Sequence, residues 1–264
     1  MRWTKFIHLT DTHLVPPGQL LYGMDPLHRL RAAVHSIATE HADADFCLIT
    51  GDLAHLGEPS AYAALHQALA GLPMPVHLAI GNHDDRLAFR SQFAATPVDG
   101  NGHVQQVMPM GKGLLLLLDT HEPGVSHGVY CQRRLDWLAT QLQAHPDAPL
   151  WLAMHHPPFD VGLPSMDAIG LRDAEAFARV LAPHRQRVRH LFFGHVHRPI
   201  SGSWLGVPFS TVRATNHQVA LDLHRSDAIP GSFEPPAYAV VLADDQQTLV
   251  HNHDFLDDSR RFTL

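Results

Sequence analysis

Cysteine is nearly missing from this chain: Cys47 and Cys131 are the only two among 264 residues. Two thiols cannot build a disulfide framework, which fits a reducing compartment. Basic charge is also short, with 19 Lys+Arg against 26 Asp+Glu and a formal net charge of −7. That balance excludes a general binder of nucleic-acid polymers or acidic membranes, which needs a cationic surplus to displace counterions. Long apolar runs are absent as well. Runs such as Leu114 to Leu118 fall far short of the roughly 20 residues that cross a bilayer. The apolar stretch between Met1-Arg2-Trp3-Thr4-Lys5 and Asp11 is too short for a signal-peptide core. A cytoplasmic protein with no membrane partner is expected.

What the chain does have is histidine, 23 residues of it, within a composition that is 45% hydrophobic and 17% charged. Such a composition folds, and a chain of this length buries roughly three quarters of its unfolded surface. Short apolar runs at Phe6–Thr10, Phe46–Thr50 and Val76–Ile80 alternate with helical patterns. The first helix opens at Asp25-Pro26 and the second at Pro59-Ser60. Strand runs recur at 114–119, 150–155 and 190–193, with helices near 132–144 and 173–182. This alternation predicts layered α/β architecture. Beyond His197 the pattern changes to short strands at 201–205, 208–211, 219–223, 238–243 and 248–253, read as a second, largely antiparallel sheet. No linker interrupts the chain, so residues 1–264 are read as one domain, with a cap or dimerisation segment near 213–236.

Five polar motifs stand where the predicted strands stop: Asp11-Thr12-His13, Gly51-Asp52, Gly81-Asn82-His83-Asp84, His155-His156-Pro157-Pro158 and Gly194-His195-Val196-His197. Residues just beyond the carboxyl ends of strands converge on the ligand crevice of an open α/β sheet. In an extended segment the side chains of i and i+2 point the same way, which pairs Asp11 with His13 and His195 with His197. Glycines before Asp52 and Asn82 allow the backbone to turn sharply. Counting one of His155 and His156, the donors are two Asp, one Asn and four His. That set lacks thiolate and suits Mn, Fe, Zn or Co. Seven donors exceed the needs of one catalytic ion with an open position. With Asp52 bridging they make four contacts to each of two ions and leave room for a shared hydroxide. Two divalent ions less two carboxylates and a hydroxide leave +1, which a phosphodiester monoanion balances.

In order and position these motifs resemble the calcineurin-like metallophosphoesterase superfamily, and within it the bacterial class III cyclic-nucleotide and glycerophosphodiester phosphodiesterases. Leu21-Tyr22-Gly23, Gly57-Glu58-Pro59 and Thr215-Asn216-His217-Gln218-Val219 extend the likeness. The resemblance implies a four-layer αββα sandwich of two mixed β-sheets flanked by helices. It implies two divalent or mixed-valence transition-metal ions, the first held by Asp11, His13, Asp52 and His197 and the second by Asp52, Asn82, His155 and His195. His83 is implied to donate to the phosphate or leaving oxygen, with Asp84 orienting its ring and Tyr22 and His217 at the substrate rim. It further implies a homodimer or higher oligomer. Metal chemistry then gives in-line attack on a small phosphodiester by a metal-bridging hydroxide. His55 departs from the family pattern, where Asn or Asp is more usual and purple acid phosphatases carry Tyr.

The competing readings are a phosphomonoesterase and a non-catalytic metal-binding scaffold, as in the retromer subunit of the superfamily. Phosphoprotein phosphatases of the superfamily carry Arg after the Gly-Asp motif, whereas Asp52-Leu53-Ala54-His55-Leu56-Gly57 has none. Scaffolds lose metal ligands, and here every ligand position is filled. Asp119-Thr120-His121 and His251-Asn252-His253-Asp254 imitate two of the motifs; both are expected on solvated or loop surfaces. His156 is expected to support the centre from outside it. Cys47 is read as a buried small hydrophobe, and histidines such as His8 and His190 as solvated or hydrogen-bonded.

Overall fold

The computed structural model describes residues 3–256. Met1 and Arg2, which begin the N-terminal stretch weighed above, and residues 257–264, which end the 1–264 domain, lie outside the described residues. Two mixed sheets face one another. In the first, β1 (Thr4–Leu9), β2 (Phe46–Thr50) and β3 (Val76–Ala79) run parallel, and β12 (Tyr238–Ala243) and β13 (Thr248–His253) extend it antiparallel from β1. The second has the order β4 (Gln106–Met110), β5 (Gly113–Leu118), β6 (Leu150–Met154), β7 (Val188–Phe193), β9 (Val207–Thr211), β8 (Ser201–Trp204). Its four inner strands are parallel and its two edges antiparallel. A separate two-strand ladder pairs β10 (Gln218–Val219) with β11 (Gly231–Ser232).

Strand alternation sorts the apolar residues into three cores. Phe6, Phe46, Leu48, Leu115, Leu117, Trp151 and Phe192 fill the space between the sheets, where Phe6 stacks on Phe46 at 4.7 Å between ring centroids. Ile7, Leu9, Cys47 and Ile49 face the other way, onto α1 (Pro26–Glu40), α2 (Pro59–Leu69) and α3 (Arg86–Gln92). On the far side, Leu116, Leu118, Leu152 and Phe193 pack against α4 (Gln132–Ala144) and α6 (Ala174–Leu181); α5 (Pro164–Asp167) is a single turn. The fold is therefore the expected αββα sandwich. Among the described residues no helix is long and apolar enough to cross a membrane.

One expectation about the tail is corrected. The strands beyond His197 do not make a sheet of their own: β8 and β9 complete the second sheet, while β12 and β13 complete the first. The reason is that β12 is apolar on both faces, with Ala239 and Val241 in the central core and Tyr238 and Val240 under the helices. Such a strand must lie inside a sheet covered on both sides. The run at 219–223 also fails as a strand after Val219, leaving Leu221 and Leu223 exposed.

His8 and His190 are buried near the centre of the sandwich, each hydrogen-bonded to a hydroxyl: His8 Nε2 to Thr50 Oγ1 at 2.9 Å and His190 Nε2 to Ser210 Oγ at 2.8 Å. Burial pushes His8 down to about 3 and His190 to about 4, so both are neutral in the fold at pH 7. A lowered folded pKa means their contribution is intact above the unfolded value near 6.5 and is lost as pH falls below it. Each ring then costs about 1.4 kcal/mol per pH unit until its folded pKa is reached. Between pH 6 and pH 4.5 the stability of His190→Gln is expected to fall less steeply than that of the parent by roughly that amount. Urea midpoints at a series of pH values check this, and identical slopes would contradict it.

Candidate metal centre

The parallel strands β1, β2, β3, β6 and β7 all release their chains at one end of the sandwich, and there the five motifs meet. The route differs from the expected extended alternation. Asp11, His13, Asp52, His195 and His197 all have positive φ, between 43° and 69°. These left-handed residues turn each loop back over its strand, a strained conformation that persists where surrounding contacts enforce it. The glycines divide in role. Gly51 supplies a turn at φ 99°. Gly81 instead supplies space, because a Cβ there would lie 2.2 Å from Asp52 Oδ1 and 2.6 Å from Asp52 N.

Asp11, His13, Asp52 and His197 form one donor set, buried, with all ligand atoms within 4.8 Å of one another. His13 Nε2 lies 3.1 Å from His197 Nε2 and 3.5 Å from Asp52 Oδ2, and His197 Nε2 lies 3.4 Å from Asp11 Oδ1. Tetrahedral ligands at the usual bond lengths stand about 3.4 Å apart. Asp52 Oδ2 also lies 3.3 Å from His155 Nε2, which in turn is 3.2 Å from Asn82 Oδ1. The same carboxylate oxygen thus stands between the two donor sets, while Oδ1 accepts from His83 N at 2.9 Å. His195 Nε2 is buried and has no hydrogen-bond partner. An orphaned imidazole nitrogen beside a cluster of donors is the state a metal ion relieves. The residues present therefore fit a dinuclear metal centre.

The outer nitrogens are anchored. His155 Nδ1 meets Thr50 O at 2.8 Å and His197 Nδ1 meets His217 O at 2.8 Å, which turns each Nε2 toward the centre. Asp11 accepts from His195 N and from Thr10 Oγ1. Burial opposes ionisation of Asp52, but His155, His83 and His13 outweigh it and hold the carboxyl well below its usual range. Burial likewise depresses His155, yet Asp52 and Asp11 raise it to about 9. His195 is pushed down to about 3, because burial and His155 outweigh the opposing pull of Asp52 and Asp11.

A profile of calcineurin-like phosphoesterases matches residues 4–199 of the chain, the span that carries all five motifs. The chain belongs to the calcineurin-like phosphoesterase family. It is 46% identical over 263 residues, 98% of its length and 96% of the relative's, to a probable cyclic nucleotide phosphodiesterase of Rhodopseudomonas palustris. A probable glycerophosphodiester phosphodiesterase of Arcobacter nitrofigilis is 28% identical over 253 residues, covering 95% of this chain and 92% of its own. Among solved structures, a dimetal phosphatase from Danio rerio superposes with a TM-score of 0.65 over 93% of this chain and 98% of that one, at 15% identity. That likeness shows the calcineurin-like fold.

Two site expectations need correction within this calcineurin-like frame. Asp84 does not touch the His83 ring. Its carboxylate accepts from Leu53 N, Ala54 N, Gly81 N and Tyr62 Oη at 2.8–3.1 Å, so it ties the Asp52 loop to the Asn82 loop. Burial and Asp52 raise its pKa to about 6 against those backbone donors. The His83 ring is held instead by His55, whose carbonyl accepts from Nδ1 at 2.7 Å. The imitation motif Asp119-Thr120-His121 is not solvated but buried. Arg86 forks onto the Asp119 carboxylate at 3.0–3.2 Å, and His121 Nε2 donates to Asp84 O at 2.8 Å. It braces the centre without joining it. His156 is engaged on both nitrogens, by Thr120 Oγ1 and Ser126 O, although it lies close enough to His155 and His195 for their ligand atoms to fall within 4.8 Å of one another.

A cavity of about 440 Å³ opens over the donors. Tyr22 and His217 line it, their rings 4.8 Å apart. Of the remaining wall, sequence reasoning missed Met24, Met166 and Ile169, and it reached Val219, Ile229 and Phe233 as members of the 213–236 segment. The strong exposure of Phe233, 76%, is structural; in the sequence, only its Pro-rich surroundings in the 213–236 segment hinted at it. The other imitation, His251–His253, lies on β13 away from the cavity, where His253 faces Glu40.

Proposed function

We propose that the chain is a dinuclear-metal phosphodiesterase acting on small diesters, and that 3′,5′-cyclic nucleotides suit it better than glycerophosphodiesters. The observation that carries the choice is the wall of the cavity. Among the described residues lining it, Asp52 is the sole formally charged non-histidine group, and no Lys or Arg is present. A monoester dianion would lack a side-chain cation to balance its second charge. A cationic or polyhydroxyl headgroup would meet Tyr22, Met166, Ile169, Ile229 and Phe233, which instead offer apolar and aromatic surface to a nucleobase.

Asp11, His13, Asp52 and His197 would hold one ion, and Asp52, Asn82, His155 and His195 the other; Mn, Fe, Zn and Co all match the donors. When bound, the ions supply Lewis acidity toward the phosphoryl oxygens and lower the pKa of water to near neutral. His83 has Nδ1 committed to the His55 carbonyl, so the doubly protonated ring presents Nε2–H and gives that proton to the leaving oxygen as its bond to phosphorus breaks, leaving the neutral Nδ1–H ring. Asp84 acts through the backbone, fixing the two loops that present Asp52 and Asn82. Tyr22 and His217 form the rim against which the non-reacting arm of the substrate rests. The exposed Leu221, Leu223, Ile229 and Phe233 support reading 213–236 as a cap or dimerisation segment within one domain. The free cysteines support a reducing, cytoplasmic setting.

The test is a panel on metal-reconstituted protein containing cyclic AMP, cyclic GMP and glycerophosphoethanolamine. The expected result is a kcat/KM at least about tenfold higher for a cyclic nucleotide, which corresponds to about 1.4 kcal/mol of added contact with the base. A preference for glycerophosphoethanolamine would overturn the choice of substrate.

A further inference from the structure

The histidines facing the centre are not all anchored alike. His155 and His197 are held on the outer nitrogen by backbone carbonyls, of Thr50 and His217. His13 is held by a side chain: its Nδ1 lies 3.2 Å from Nδ1 of His55. Two facing Nδ1 atoms at that distance share one hydrogen. His13 turns Nε2 toward Asp52 and His197; a neutral ring that gives Nε2 to an ion must carry its hydrogen on Nδ1. His55 must then be the acceptor. The His55 ring also stacks on His83, with centroids 4.9 Å apart and planes 19° from parallel, and the His55 carbonyl receives His83 Nδ1.

We propose that His55 is a positioning residue that sets the affinity of the Asp11–His13–His197 ion site by accepting the Nδ1 hydrogen of His13, while its ring face separately steadies His83. The inference rests on the dinuclear reading of the centre and adds to it a residue outside both donor sets. Outer partners of ligating histidines change metal affinity by about 10–100-fold when removed. Because this partner is a side chain, it can be altered without disturbing the backbone that anchors the other ligands.

The two roles separate by substitution. His55→Phe keeps a ring over His83 and removes the acceptor. His55→Asn removes the ring and places an amide oxygen at the position of Nδ1. His55→Leu removes both and repeats the loss of the acceptor in a smaller side chain. The full chain, stripped by chelator, is titrated with Co2+ and followed by visible absorption. The parent is expected to take up two equivalents. His55→Phe and His55→Leu are expected to weaken one equivalent by about 10–100-fold and leave the other within threefold, with His55→Asn close to the parent. Parent-like affinity for both equivalents in His55→Phe or His55→Leu would overturn the inference, as would equal loss in His55→Asn. A parent that binds no Co2+ would instead overturn the dinuclear reading, and the inference with it.

Discussion

Asp52→Asn is expected to cut kcat/KM by about 10³-fold or more and to lower the metal content from two ions per chain to one or none. Asp52 Oδ2 stands 3.5 Å from His13 Nε2 and 3.3 Å from His155 Nε2, so both donor sets share this oxygen. Asparagine preserves the volume that fits beside Gly81, yet it removes the negative charge, and with Oδ1 still accepting from His83 N its amide nitrogen takes the place of the shared oxygen. Charge stabilisation by the ions is worth several kcal/mol, and 1.36 kcal/mol is a factor of ten in rate, which sets the magnitude. Metal analysis beside steady-state kinetics checks it. Two tightly held ions in the variant would mean that Asp52 does not bridge.

His83→Ala is expected to behave in the opposite way, with metal content unchanged and kcat lowered by about 10²–10⁴-fold, the range for loss of a general acid. His83 stands over the first donor set, its ring 4.7 Å from that of His13. The hydrogen bond it sends through Nδ1 ends on a carbonyl, so Nε2 is the nitrogen available for transfer. Its removal takes away a proton donor and leaves every proposed ligand in place. Comparison of substrates with poor and good leaving groups sharpens the reading: the loss should shrink when the leaving oxygen needs no proton. Wild-type turnover in the variant would remove His83 from the mechanism.

The two deficits thus separate the residues that would hold ions from the one that would move a proton. This division was visible in the sequence because ligands and acid stand in short motifs at strand ends, and strand ends are legible wherever an apolar run stops at a polar residue. β2 and α4 have the bounds expected of them, Phe46–Thr50 and Gln132–Ala144. In both, local pattern and burial agree. α3 escaped because its seven residues are too few to show a period. β4 escaped because it is an edge strand that carries Pro109, a residue tolerated there since an edge needs fewer ladder donors.

What remained hidden was set by contacts distant in sequence. The pairing of β12 with β1 joins Tyr238–Ala243 to Thr4–Leu9, and nothing local in either strand names its partner. Left-handed φ at Asp11, His13, Asp52, His195 and His197 is likewise imposed by the loops packed around them. His121 reads as a surface residue until Arg86 closes over Asp119. The apolar wall built by Ile229 and Phe233 comes from a loop whose residues show no helical or strand period.

The most direct measurement is hydrolysis of bis(p-nitrophenyl) phosphate and of p-nitrophenyl phosphate by the same protein, with Mn2+ and after chelation. The two substrates share a leaving group and differ in phosphate charge, which is the property the metal centre and its cation-free wall discriminate. The diester should be cleaved with the higher kcat/KM, and activity should vanish on chelation and return with metal. A faster reaction with the monoester, or no diester cleavage with Mn2+, Fe2+, Zn2+ or Co2+, would contradict the assignment of a phosphodiesterase.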